Sequence, residues 1–159
     1  MAQARAMDRD ALEAVARDIM NTAHDNLNKD GYVAFAVILY KKDGNLIPVA
    51  VKGIDNPDKK EHLGRTLRGL ARECNFIVVI NEAWLRLDVP EEEVGVPIRN
   101  HPARTEGICV SAQSPIGEFL LVHKFERDAG GKPLEPLEAY TTWMEGPPPA
   151  PSNFQGLFH

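Results

Sequence analysis

Apolar positions recur at helical spacing between residues 10 and 29, at Leu12, Val15, Ala16, Ile19, Ala23 and Leu27. The spacing predicts an amphipathic helix, with Asp10 and Glu13 as its capping box. Gly31 is its natural stop, because glycine takes the left-handed conformation past a helix end. Residues 32–40 are dense in β-branched and aromatic side chains and too short for a lone helix, so they read as a strand. Lys41 to Asn45 supply turn chemistry around Gly44. Residues 46–51 then return as a second strand, which Pro48 places at a sheet edge because proline has no backbone donor. Asn56 caps and Pro57 opens a second helix. Its buried stripe reads Leu63, Leu67, Leu70 and Cys74. Gly64 and Gly69 weaken it by up to about 1 kcal/mol each relative to alanine, unless they serve close packing on a sheet.

Farther along, Phe76, Ile77, Val78, Val79 and Ile80 are apolar on both parities, the mark of a central strand buried on both faces. Residues 85–104 read as a long irregular connection holding Pro90, Pro97, Pro102 and the acidic run Glu91, Glu92, Glu93. Residues 105–113 and 118–127 form two strands joined through Ser114, Pro115, Ile116 and Gly117. Residues 134–144 suit either a short helix or a strand. The expected fold class is α+β: a mainly antiparallel five-stranded sheet with two principal helices, in the order α-β-β-α-β-β-β. Residues 1–145 form one domain. Residues 146–159 form a proline-rich tail, whose Phe154, Leu157 and Phe158 should seek a groove on the same domain or on a partner.

The net charge of −5 argues against a nucleic-acid partner, which calls for a basic face. The apolar runs are too short to span a bilayer, and the first residues carry no apolar signal core, so no membrane association and a cytoplasmic location are expected. Cys74 and Cys109 lie in apolar runs without a C-x-x-C partner and read as small buried hydrophobes. The five histidines fall in no zinc spacing. The element order resembles that of a zinc deaminase-like domain, but neither His-x-Glu nor Pro-Cys-x-x-Cys is present. Phosphate-binding glycine loops and a G-x-S-x-G nucleophile frame are also missing, so no metal and no cofactor are expected. His123, between Leu121 and Phe125, reads as a core histidine.

One constellation follows from strand parity. Phe76, Val78, Ile80, Glu82 and Trp84 share one face of their strand, and Arg104, Glu106, Ile108, Val110 and Ala112 share one face of theirs. If the two strands are antiparallel neighbours, Glu82, Trp84, Arg104 and Glu106 gather at one end of the sheet, with His101 in the adjoining loop. A Glu82–Arg104 ion pair is the expected contact. Such a cluster is either a structural ion pair closing the core rim or a polar pocket whose carboxylates split their pKa values for acid–base work.

Glu82-Ala83-Trp84 and His101-Pro102-Ala103-Arg104-Thr105-Glu106 resemble segments of a group of uncharacterised bacterial and phage-encoded proteins, with Ala103 where those carry aspartate. That resemblance implies one local unit and no known activity. The element order is also similar to roadblock-type domains, which pair as homodimers. The reading from sequence is therefore an interaction or small-ligand-binding module, homodimeric, its ligand unknown. The alternative is a small hydrolase or lyase using Glu82, Glu106 and Arg104.

Overall fold

The computed structural model describes residues 8–52, 56–85, 92, 104–146, 154, 157 and 158. Helix α1 spans Arg9–Asp30 and α2 spans Pro57–Ala71. The strands are β1 (Ala36–Lys41), β2 (Leu46–Ala50), β3 (Cys74–Leu85), β4 (Thr105–Ser114), β5 (Gly117–Phe125) and β6 (Leu137–Glu145). They form one antiparallel sheet in the order β2-β1-β3-β4-β5-β6. The fold is α+β as expected, but the sheet has six strands and not five, because residues 137–145 pair along β5.

Helix α1 starts earlier than the Asp10 capping box implies. Asp8 is its cap: the carboxylate accepts from Ala11 N–H at 2.8 Å, and the Asp8 carbonyl accepts from Leu12 N–H. Gly31 ends the helix at φ 81°, donating its N–H to the Leu27 carbonyl. The buried stripe Leu12, Ala16, Met20, Ala23, Leu27 lies on one face of the sheet, against Phe76, Val78 and Ile80 of β3, Ile108, Val110 and Ala112 of β4, and Phe119, Leu121 and Phe125 of β5.

Asn56 caps α2, its side chain accepting from Lys59 N–H, and Pro57 opens the first turn. Its buried stripe is Gly64, Leu67 and Ala71; Leu70 points outward, and Cys74 belongs to β3. The stripe Leu63, Leu67, Leu70, Cys74 is thus displaced, because the helix ends at Ala71 and its sheet-facing line runs through the small residues. Gly64 fits the close-packing role, whereas Gly69 is exposed. Leu67 and Ala71 cover the second face of the sheet with Val37, Leu39, Ile77 and Val79, and Leu157 of the tail completes this smaller core.

β1 begins at Ala36, four residues later than the run 32–40 suggests, and β2 is the edge strand that Pro48 implied. Lys41 N–H donates to Asn45 O, and Val51 N–H donates to Phe35 O. With Leu39 opposite Ile47 and Val37 opposite Val49, alternation of the ladder turns the nitrogens of residues 46, 48 and 50 outward. Pro48 therefore removes no bond to β1. It interrupts the free edge at its middle, a common defence against strand addition.

Candidate functional site

The parity argument holds at the far end of β3 and β4. Glu82 lies opposite Ile108, and Trp84 opposite Glu106, so Glu82, Trp84, Arg104 and Glu106 share one end of the sheet, on the face that carries α1. His101 lies outside the described residues.

The contacts among these residues differ from the expected ones. Glu82 takes the backbone N–H of Val33, just past the end of α1. Among the described residues Glu82 and Arg104 form no ion pair. Instead the Arg104 guanidinium lies over the Trp84 ring, 4.5 Å from its centroid. The cation of the cluster is Arg127, two residues beyond β5. Its Nε donates to Glu106 Oε2 at 2.8 Å, and its Nη1 donates to the carbonyls of Gly31 at 3.0 Å and Gly131 at 3.1 Å. One planar fork thus ties the end of α1, the start of β4 and the turn after β5. Only a guanidinium has the donors to serve three acceptors in fixed directions. Strand parity could have reached Arg127, which continues the face of Phe125 and lies within the expected strand 118–127, although β5 itself ends at Phe125.

Burial pushes the Glu82 carboxyl above its ordinary range, against the Val33 N–H and the charge of Arg127, which favour the anion. Trp84 is 44% exposed. Two shallow depressions meet at Trp84 and Glu106: one of about 210 Å³ also lined by Glu82 and Ala83, and one of about 370 Å³ also lined by Arg104, Thr105, Glu126 and Arg127.

A second polar group, absent from the sequence reading, lies on the opposite face at the other end of the sheet. Gln113 is 2% exposed. Its Oε1 accepts from Leu157 N–H at 3.1 Å, and its Nε2 donates to the Phe154 carbonyl and to Ser111 Oγ at 3.1 Å. Leu157 N–H can only donate, which fixes the amide orientation. Ser111 Oγ in turn donates to Glu118 Oε1 at 2.7 Å. Glu118 is 6% exposed, and its Oε2 is buried without a partner. Desolvation raises its pKa, with the Ser111 bond opposing.

Because the folded pKa of Glu118 lies above the unfolded one, its contribution to stability is fully present below about pH 4.3 and is lost as pH rises through the folded value. Glu118→Gln is therefore expected to raise stability at pH 7 by about 1 kcal/mol, the order of the cost of an unsatisfied buried polar group, and by much less at pH 4. Urea melts at the two pH values check this; an equal gap at both would show that ionisation is not the cost.

His123 is only half-satisfied. Its Nδ1 meets His24 Nε2 of α1 at 2.8 Å, while its own Nε2 is buried without a partner. Burial lowers both histidines, so the pair is neutral at pH 7, one ring donating and the other accepting. Cys74 is buried and Cys109 half-buried, its thiol pushed up to about 11 by burial, so neither is a ready nucleophile. No group of three or more possible metal ligands occurs among the described residues, and no described helix is long and apolar enough to cross a membrane. Comparison with protein-family models, with curated proteins and with solved structures finds no match to this chain.

Proposed function

We propose that this protein is a binding module, and that its ligand seats on Trp84 and Arg104 at the β3–β4 end of the sheet. One observation carries the reading: the chain itself occupies both carboxylates, Glu106 through Arg127 and Glu82 through Val33 N–H, while Trp84 remains 44% exposed beneath a guanidinium. A general base must reach the proton it abstracts, and a carboxylate clasped by a three-point arginine is committed to structure. This disfavours the hydrolase or lyase alternative. An aromatic face beside a cation suits a planar group bearing negative charge, through stacking and charge together.

The test uses Trp84 as its own reporter. Trp143, the other tryptophan, packs against the α1 core. Planar carboxylates and aromatic phosphates screened against the intact protein should include compounds that quench the Trp84 emission. Trp84→Ala should weaken their binding at least about tenfold, the order of an aromatic contact, with little change in Tm. Retained affinity in Trp84→Ala, or turnover that Glu82→Gln abolishes, would overturn the reading.

The homodimer expected from the sequence belongs to the same proposal, through β6 and not β2, since Pro48 blunts β2 and β6 is the other outer strand among those described. Light scattering across micromolar concentrations should return about twice 17.6 kDa; a mass that stays at 17.6 kDa rejects it.

A further inference from the structure

The second face of the sheet carries a groove that already holds a peptide: the chain's own C-terminal segment. Leu157 is 2% exposed among Val37, Leu39, Leu67, Ala71, Ile77 and Val79. Phe154 meets Phe35 edge-on at 5.2 Å, and Phe158 packs at the margin. Among the described residues the polar contacts come from Gln113, and both that reach the segment touch its backbone, the Phe154 carbonyl and the Leu157 N–H. A buried carboxamide that pairs with main-chain groups accepts any peptide of that backbone shape. The flanking apolar sites then select side chains.

The tether is longer than the distance it must cover. Gln113 lies opposite Glu118, and Glu118 opposite Met144, so the end of β6 is roughly 10 Å from Gln113 at about 4.8 Å per strand. Seven residues separate Gly146 from Phe154, four of them prolines, and the eight steps between the two reach up to roughly 25 Å at about 3.1 Å per residue. Nothing in the tether's length holds the segment in place. A cavity of about 420 Å³ adjoins Leu157 and Phe158, with Lys42, Arg68 and Arg72 on its walls, so the Phe158 end of the groove is basic.

We infer that this groove is a peptide-recognition site, that it takes a segment of another protein with the spacing aromatic-x-x-Leu-aromatic flanked by acidic residues, and that the chain's own Phe154, Leu157 and Phe158 occupy it in its absence. The tail then acts as a tethered competitor at an effective concentration near millimolar, on the order expected for a short linker. The site lies at the opposite end of the sheet from Trp84, roughly 23 Å along β3 from Ile77 to Trp84 at about 3.3 Å per residue, and on the other face. It stands independently of the proposed function.

The experiment places a protease site in the linker at residues 147–151 of the full chain and cuts it after folding. The cut protein should stay folded and should bind a labelled peptide of residues 152–159 saturably. The uncut chain should bind that peptide at least about tenfold more weakly, because the tethered copy competes. Leu157→Ala in the peptide, or Gln113→Ala in the protein, should each weaken binding at least about tenfold, and glutamate in place of His159 should tighten it. Unfolding on cutting, failure to bind the peptide, or indifference to Leu157→Ala overturns the inference. So does a concentration-dependent doubling of mass in the uncut chain that Leu157→Ala removes, since the occupant would then be a second copy. Hydrogen exchange on the uncut chain is a second, independent test. The Leu157 amide should open at lower free energy than that of Val78, and exchange of both only through global unfolding would make the tail inseparable core.

Discussion

Arg127→Ala is expected to lower stability by about 3 kcal/mol, more than Arg104→Ala, whose cation–π contact with Trp84 is exposed. Losing Arg127 leaves Glu106 without its counter-charge and strips the Gly31 and Gly131 carbonyls of a donor. Removing one partner of a buried pair costs about 3–5 kcal/mol. The Arg127 and Glu106 side chains are 28% and 23% exposed, so solvent screening holds the loss to the lower end of that range. The Arg104 contact with Trp84 is an exposed cation–π interaction, worth about 0.5–1 kcal/mol. Arg127→Lys should fall between, because an ammonium keeps the charge but not the fork. Urea denaturation of the three variants separates these cases. A larger loss from Arg104→Ala than from Arg127→Ala would show that the clasp is wrongly assigned.

Gly117→Ala should be of similar size, about 3 kcal/mol. Gly117 closes the two-residue turn between β4 and β5 and pairs with Glu145 of β6. A methyl group there runs into the Met144 carbonyl and comes within 2.9 Å of two carbons of the Trp143 ring. The Met144 oxygen is main chain in a paired strand, so it cannot withdraw without disturbing the β5–β6 ladder. Overpacking of this kind usually costs about 1–3 kcal/mol, and displacement of Trp143 from the α1 core adds to it. Thermal melts measure the loss, and faster hydrogen exchange at Thr142 and Met144 would localise it to β6. A variant as stable as wild type would mean that β6 shifts freely to make room.

Much of the architecture follows from local chemistry, and the sequence carries local chemistry directly. The helical spacing of Leu12, Ala16, Ala23 and Leu27, the left-handed stop at Gly31, the Asn56–Pro57 opening and the doubly apolar run 76–80 each reflect an interaction of a residue with its near neighbours along the chain or with water. Each is found in the fold. The edge position of Pro48 belongs with them, since a missing donor excludes a central strand wherever the strand lies. Parity also gathered Glu82, Trp84, Arg104 and Glu106 correctly, because alternation along a strand is a property of the backbone alone.

What only the tertiary structure decided is which partner each polar group meets. Residues 137–145 have no dominant period, with threonines and glutamates set among apolar residues; they became β6 because β5 offers an open edge beside them. Arg127 reaches Glu106 only once β4 and β5 are in register, and it reaches Gly31 only once α1 lies on the sheet. Gln113 looks like an ordinary polar strand position until the Phe154 carbonyl and Leu157 N–H of the tail meet its side chain and Leu157 fills the smaller core. Hydrogen bonds and ion pairs depend on distances of a few tenths of an ångström between groups up to 121 positions apart, as with Arg17 and Glu138. The hydrophobic pattern that organises the chain is non-directional and tolerates larger errors, so it is legible before folding, while the identity of each polar partner is not.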